Sequence, residues 1–272
     1  MNVTLFLLLA TLSELCQGAR ILGVIPTPSY SHQVVFQPLW KELSLRGHQV
    51  TVLTTNPIKD SSLTNLTEID LSFSYKFLED NLAEIINSSQ NVLKWKTLTM
   101  LSLNNVVDAQ LQHPEVHKLI RDPNEHFDLL IVEYIMVPPI YFSKRFNCPY
   151  IGVLSMAGYS TAHTLLGNFD HPIVYPRHIL QVHGKPNLIQ RIYLAAMEFI
   201  LDYVMDINEI PQQIVKKRFD DETPMKEVLQ NASLLFVNSD PIFHHQRPLL
   251  PSIIPIGGNT VRVQAEPLEN VS

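Results

Sequence analysis

The chain has 272 residues, 46% of them hydrophobic and 17% charged, enough for one large α/β domain or two small ones. A formal net charge of -6, which no cluster of Lys or Arg overrides, argues against a nucleic-acid binder. Nineteen prolines are spread along the chain and imply many connections rather than a disordered tail.

The amino terminus reads as a secretory signal over residues 1–18. An apolar run at 5–12 precedes Cys16-Gln17-Gly18, which puts small residues before Ala19, although no basic residue precedes the run. The mature chain then begins at Ala19, Cys16 leaves with the signal, and Cys148 is the sole thiol, so no internal disulfide is expected. Sequons at Asn65, Asn87, Asn231 and Asn270 are N-glycan acceptors in a chain that enters the endoplasmic reticulum.

Strands are predicted at 20–25, 49–54, 72–77, 129–132, 150–154 and 234–237, and more weakly at 253–256. Helical patterns lie between them. The first, over 33–46, carries Val35, Phe36, Leu39, Trp40 and Leu43 on one stripe. Ser31 is placed to cap it, Gly47 to end it and Pro38 to kink it. Residues 81–120 read as mostly helical. The apolar segment 188–207 carries Arg191, Glu198, Asp202 and Asp206 on one face. It reads first as a helix packed in a core and second as one lying in a membrane interface. No apolar run after the signal is long enough to span a membrane.

Strands alternating with helices imply an α/β fold with a doubly wound parallel sheet, Rossmann-like, with right-handed crossovers. In such a sheet the first strand lies between the second and the fourth, and the crevice opens between first and fourth. His32 follows the first strand and Glu133 ends the fourth, so the two should meet there. A carboxylate beside an imidazole fixes its tautomer and stabilises its cation, which suits a general base. Taken alone, His32 also fits a loop histidine covering a helix start, and Glu133 a strand-end carboxylate that meets only solvent.

Other chemistries lack their motifs. There is no G-x-G-x-x-G and no G-x-x-x-x-G-K-S/T, and the first turn is rich in proline rather than glycine. No G-x-S-x-G elbow supports a hydrolase triad. No metal pattern appears, and the adjacent His244-His245 reads as a solvated loop pair. Asp128 and His48 fall at the wrong ends of their strands for the crevice and read as structural.

Several segments in order resemble the amino-terminal half of the animal UDP-glycosyltransferases. They are Ala19-Arg20-Ile21-Leu22, Pro28-Ser29-Tyr30-Ser31-His32, and Leu43-Ser44-Leu45-Arg46-Gly47-His48-Gln49-Val50-Thr51-Val52. Phe127-Asp128-Leu129-Leu130 before Glu133, Leu234-Leu235-Phe236-Val237-Asn238-Ser239, and Arg247-Pro248-Leu249-Leu250-Pro251 leading to Gly257-Gly258 continue the match. The resemblance implies one half of a two-domain (GT-B) architecture, with an acceptor-binding domain at 19–258 and the start of an interdomain linker at 259–272. It implies that His32 is the base that deprotonates a hydroxyl of a small lipophilic acceptor, with Glu133 as its partner where the family usually has aspartate. Ser29, Tyr30, Ser31 and Tyr159 are the implied acceptor contacts, from the loop at 28–31 and the loop at 155–159, beside a helical wall at 81–105. No cofactor is implied. UDP-sugar is a co-substrate, held by a donor domain absent from this sequence or supplied by another chain, and homo- or hetero-oligomers are compatible with that. The chain alone is expected to be inactive. It is expected in the endoplasmic reticulum lumen or at its membrane, or secreted if an anchor is truly missing. The competing expectation is a truncated, non-catalytic isoform that binds ligand or modulates full-length relatives.

Overall fold

Along β1 (Arg20–Ile25), Leu22 and Val24 enter one apolar cluster and Ile21 and Ile25 another, so the strand is buried on both faces. That pattern belongs to a parallel strand covered by helices on each side. The computed structural model describes residues 18–158, 160–176, 180, 182, 184–206, 209–240, 242 and 247–257. Residues 1–17 of the expected signal at 1–18, Tyr159, the His244-His245 pair and the expected linker at 259–272 lie outside the described residues.

β2 (Gln49–Thr54), β3 (Leu66–Asp70), β4 (Leu129–Glu133), β5 (Tyr150–Leu154), β6 (Leu234–Val237) and β7 (Ile253–Pro255) complete one seven-stranded sheet. Its order is β3-β2-β1-β4-β5-β6-β7 and every pairing is parallel. The winding reverses between β1 and β4, which makes their carboxyl ends the topological switch point. This is the doubly wound sheet expected from the sequence.

The first helical pattern is two helices rather than one kinked helix. α1 (Tyr30–Gln33) is a single turn, and α2 (Gln37–Leu45) restarts with Pro38 in its first turn. Proline has no N–H to continue a ladder but suits a helix start, so the expected kink becomes a break. Ser31 lies inside α1 instead of capping it; Ser29 holds the cap position, without a side-chain capping bond. Gly47 follows α2 with φ of 89°.

The strand expected at 72–77 is a correction. The third strand is Leu66–Asp70, and residues 72–77 form a 3₁₀ turn (Ser72–Ser74) followed by the start of α3 (Tyr75–Asn87). Asp70 Oδ1 accepts from the Ser72 amide at 2.9 Å and turns the chain out of the sheet. Within the segment read as a strand, Phe73 and Phe77 are instead an i,i+4 surface pair, with ring centroids 6.2 Å apart.

α4 (Val92–Gln112) and α5 (Pro114–Arg121) follow, then a 3₁₀ turn (Pro138–Tyr141) with α6 (Phe142–Phe146), and α7 (Ser160–Leu165) after β5. α8 (Leu188–Asp206), α9 (Ile210–Phe219) and α10 (Met225–Gln230) precede β6. The larger core joins one sheet face to α4, α5, α6, α9 and α10, while Phe36 and Trp40 bracket the start of α2 and cover the other face. Asp108 on α4 pairs with Arg218 on α9 through two contacts of 2.7 and 2.9 Å, which hold its carboxyl below the usual carboxylate range.

α8 departs from the core-packed reading. Leu194 and Leu201 are buried in a small cluster with Leu180, whereas Ile189, Ile192, Phe199 and Tyr203 are exposed. Its apolar residues therefore exceed what the inner face can bury. Among the described residues no helix is long and apolar enough to cross a membrane.

Candidate active site

The turn after β1 reads Pro26-Thr27-Pro28, and two of its three residues bring no N–H. Its carbonyls are satisfied by two buried glutamines. Gln33 Nε2 donates to the carbonyls of Ile25 (2.9 Å) and Thr27 (2.8 Å), and Gln33 Oε1 accepts from Thr54 Oγ1 at 2.8 Å. Gln110, from α4, donates to the Pro26 carbonyl at 2.8 Å. Buried carbonyls left without donors are costly, so these bonds fix one path for the turn. Gln33 is the last residue of α1, and its anchoring fixes the neighbouring His32.

Glu133 ends β4 in register with Val153 of β5 and has no solvent exposure. Both of its oxygens are engaged. Oε2 accepts from the Thr27 hydroxyl at 2.6 Å and the Thr27 amide at 3.3 Å. Oε1 lies 2.5 Å from His32 Nδ1. Both are acceptors in this arrangement, which an ionised carboxylate supplies and an amide could not.

His32 is partly exposed, with 15% of its side-chain surface accessible. With Nδ1–H donated to Glu133, the ring lone pair lies on Nε2. Ser155 Oγ, just past β5, stands 3.0 Å from Nδ1 and can share that hydrogen as a second acceptor. The Ser155 carbonyl accepts from Asn238 Nδ2 at 2.8 Å, which ties this loop to the residue after β6. Three strand ends thus converge on one imidazole, the geometry of a general base held in a fixed tautomer.

The pairing of His32 with Glu133, 101 positions apart, is the one expected from topology. Ser29 and Ser31 lie at the same turn, their hydroxyls 3.0 Å apart, and Tyr30 projects outward at 62% exposure. Tyr159 lies outside the described residues. Thr27, Gln33 and Gln110 were not anticipated, and Ser155 only as the start of a pocket wall. Asp128 accepts from the Arg20 amide at 2.7 Å and His48 Nδ1 from the Ala19 amide at 3.1 Å, both at the opposite end of the sheet. No group of His, Cys, Asp and Glu side chains suited to a metal ion occurs among the described residues.

A doubly wound sheet with a histidine–carboxylate pair at its switch point defines an α/β protein equipped for proton transfer. Residues 20–271 match the UDP-glucoronosyl and UDP-glucosyl transferase family, and the chain belongs to that family. It is 31% identical to the ecdysteroid UDP-glucosyltransferase of Autographa californica nuclear polyhedrosis virus, over 97% of this chain and 53% of that protein. It is also 31% identical to UDP-glucosyltransferase 2 of Dactylopius coccus, over 96% of this chain and 52% of that one. The chain spans about half the length of the curated relatives it matches. Among solved structures, TcCGT1 in complex with UDP aligns with a TM-score of 0.42 at 16% identity, covering 83% of this chain and 45% of that chain. The calicheamicin glycosyltransferase CalG4 aligns with a TM-score of 0.40 at 13% identity, covering 89% and 52%.

Proposed function

We propose that this chain is the acceptor half of a two-domain UDP-glycosyltransferase that glycosylates a hydroxyl of a small lipophilic molecule. The observation that carries this reading is the 2.5 Å contact of His32 Nδ1 with buried Glu133 at the switch point, in a member of this family. His32 Nε2 takes the proton of the acceptor hydroxyl as its oxygen attacks the anomeric carbon. The bond from that carbon to the UDP oxygen breaks, UDP leaves, and the configuration inverts. Glu133 holds the ring in place and stabilises the charge it acquires.

The loop holding Ser29, Tyr30 and Ser31 contributes the acceptor wall nearest the base, with Ser155 beside it. The relatives named ecdysteroid UDP-glucosyltransferases favour ecdysteroids as the acceptors to try first. The UDP-sugar is held by a donor domain elsewhere in a longer product or on another chain. Holding the donor beside the acceptor supplies positioning that can be worth about 7–11 kcal/mol of a barrier.

We place the protein in the lumen of the endoplasmic reticulum, reached through the signal at 1–18. Asn87 and Asn231, both exposed at helix ends, are the proposed glycan carriers. Asn65 is less suited than Asn87 and Asn231, since its side chain already accepts from Gln49 Nε2 at 2.9 Å and donates to the Ser44 carbonyl at 3.3 Å.

The test is a UDP-release assay with steroid and phenol acceptors and a panel of UDP-hexoses, run on a product that includes the donor domain. Turnover abolished by His32→Ala supports the reading. Turnover unchanged by that substitution refutes the base assignment.

A further inference from the structure

Ser155 reaches His32 from a loop that Asn238 holds at three successive carbonyls. Asn238 stands one residue past β6, and its amide donates to the carbonyls of Leu154 (3.1 Å) and Met156 (3.2 Å). Its side chain donates through Nδ2 to the carbonyl between them, that of Ser155, at 2.8 Å. The loop therefore curls over one residue, and Ser155 Oγ comes to 3.0 Å from His32 Nδ1. Its far end is closed as well: a Cβ on Gly158 would lie 2.6 Å from His163 Nε2 and 3.2 Å from Val237 Cγ1. Asn238 does for the loop carrying Ser155 what Gln33 does for the turn carrying His32.

Asn238 is tied in turn to the place where the chain leaves the sheet. Just past β7, the Ile256 amide donates to the Val237 carbonyl at 2.8 Å and the Gly257 amide to the Ser239 carbonyl at 3.2 Å. The two backbones approach so closely that a side chain at 257 would run into the Ser239 carbonyl and come within 2.8 Å of the Asp240 nitrogen. The exits of β7, β6 and β5 thus form one bonded row that ends on the imidazole.

The Ser155 contact counts most once His32 holds a proton. Nδ1–H then belongs to a cation with two acceptors, Glu133 Oε1 and Ser155 Oγ, and bonds from a charged donor are about twice as strong as neutral ones. An interaction that strengthens as charge develops raises kcat rather than acceptor affinity. Its geometry is narrow: from 3.0 Å, a displacement of Ser155 by about 0.6 Å takes the pair out of hydrogen-bond range. We propose, on the reading of His32 as the base, that Asn238 is a positioning residue for the proton transfer. It holds Ser155 Oγ on the ring and couples that contact to the exit of β7.

Ring NMR of the 272-residue chain, with His32 assigned through His32→Ala, reads the contact directly. Ser155→Ala and Asn238→Ala should each shift the His32 Nδ1 resonance and speed exchange of its hydrogen with solvent about tenfold, the effect of losing one hydrogen bond. The double variant should go no further than either alone, since both remove the same contact. Asn238→Asp, which keeps the shape but whose carboxylate has no hydrogen to donate, should match Asn238→Ala. Gly257→Ala should move the same resonance from the far end of the row, whereas Asp108→Asn, which loosens α4 from α9, should not. In a product that includes the donor domain, Asn238→Ala should lower kcat about tenfold with acceptor KM unchanged. A His32 ring indifferent to Asn238→Ala and Asn238→Asp, or to Gly257→Ala, overturns the proposal. So does a raised KM with kcat retained, which makes Asn238 part of the acceptor wall. Turnover that survives His32→Ala refutes the base reading alone, because the ring resonances report the Asn238 contact without turnover.

Discussion

Thr27 and Gln33, six positions apart, fasten one turn from two directions. The Thr27 carbonyl accepts from the Gln33 amide at 2.8 Å, while the Thr27 hydroxyl donates to Glu133 at 2.6 Å. The backbone that delivers His32 and the carboxylate that orients it are thus parts of a single bonded unit. Disturbing any member should move the others.

Glu133→Gln separates geometry from charge. Both Glu133 oxygens accept, so an amide must turn its NH₂ either toward the Thr27 donors or toward His32 Nδ1. The second choice puts the ring hydrogen on Nε2, where no proton can be accepted. In a product that includes the donor domain, kcat should fall about 10²–10⁴-fold, as for His32→Ala. Steady-state kinetics beside an acceptor-binding assay would check this, since binding should change far less than turnover.

Thr27→Val removes the 2.6 Å hydroxyl donor and leaves only the longer amide contact on Glu133 Oε2. A hydrogen bond to a charged group contributes about 1.5–3 kcal/mol, so urea denaturation should register a loss of that order. Thr27→Ser, which keeps the donor, should recover most of it.

Gln33→Leu is isosteric enough to fill its buried site but abandons the carbonyls of Ile25 and Thr27 and the hydroxyl of Thr54. The Thr27 carbonyl keeps the Ser29 amide, so the expected destabilisation comes from the Ile25 carbonyl and the Thr54 hydroxyl, each costing about 1–3 kcal/mol when it loses its partner. Chemical denaturation, with m compared between the proteins, is the measurement.

Stability should fall with acid through His163. Burial, reinforced by Arg247, lowers its pKa from 6.5 to about 4. Between those values the unfolded chain holds a proton that the folded chain refuses, so stability is complete above pH 6.5 and declines as pH falls toward 4. The loss at the acid end is about 3 kcal/mol. His163→Leu should lower Tm at pH 7 yet flatten its slope between pH 6.5 and 4.5 in calorimetry.

Gly152→Ala should be damaging although glycine here is an ordinary strand residue. A Cβ at this position in β5 would lie 2.7 Å from Tyr134 Cδ2 and 3.0 Å from Leu235 Cδ1. Tyr134 is 1% exposed and its hydroxyl donates to the Leu229 carbonyl at 2.7 Å, so the ring has little room to yield. Overpacking of this kind costs about 1–3 kcal/mol, measurable by thermal melt.

What the sequence disclosed followed from periodicity and topology. Six of the seven strands are apolar runs between turn residues, and the winding rule alone placed Glu133 beside His32. The third strand was misplaced because Phe73, Tyr75 and Phe77 satisfy both a strand's alternation and, through Phe73 and Phe77, a helix's i,i+4 spacing. Asp70, one ordinary carboxylate, decides between them by capping the turn. Thr27, Gln33 and Gln110 left no pattern at all, because a side chain that bonds a distant carbonyl has no period. Ser155 was within reach: β5 lies beside β4, so the residue after β5 had to emerge near Glu133.

The turn after β1 also determines which way this molecule's electrostatics point. Pro26 and Pro28 bring no N–H, the Thr27 amide faces Glu133, and the Ser29 amide folds back onto the Thr27 carbonyl. Where a nucleotide-binding sheet opens its first turn as a nest of donors for diphosphate, this one is closed, with an acidic side chain behind it. An anion gains nothing by settling there, and a neutral hydroxyl loses nothing. Four residues of backbone, Pro26 to Ser29, are enough to close this turn to the donor geometry that an anion would need.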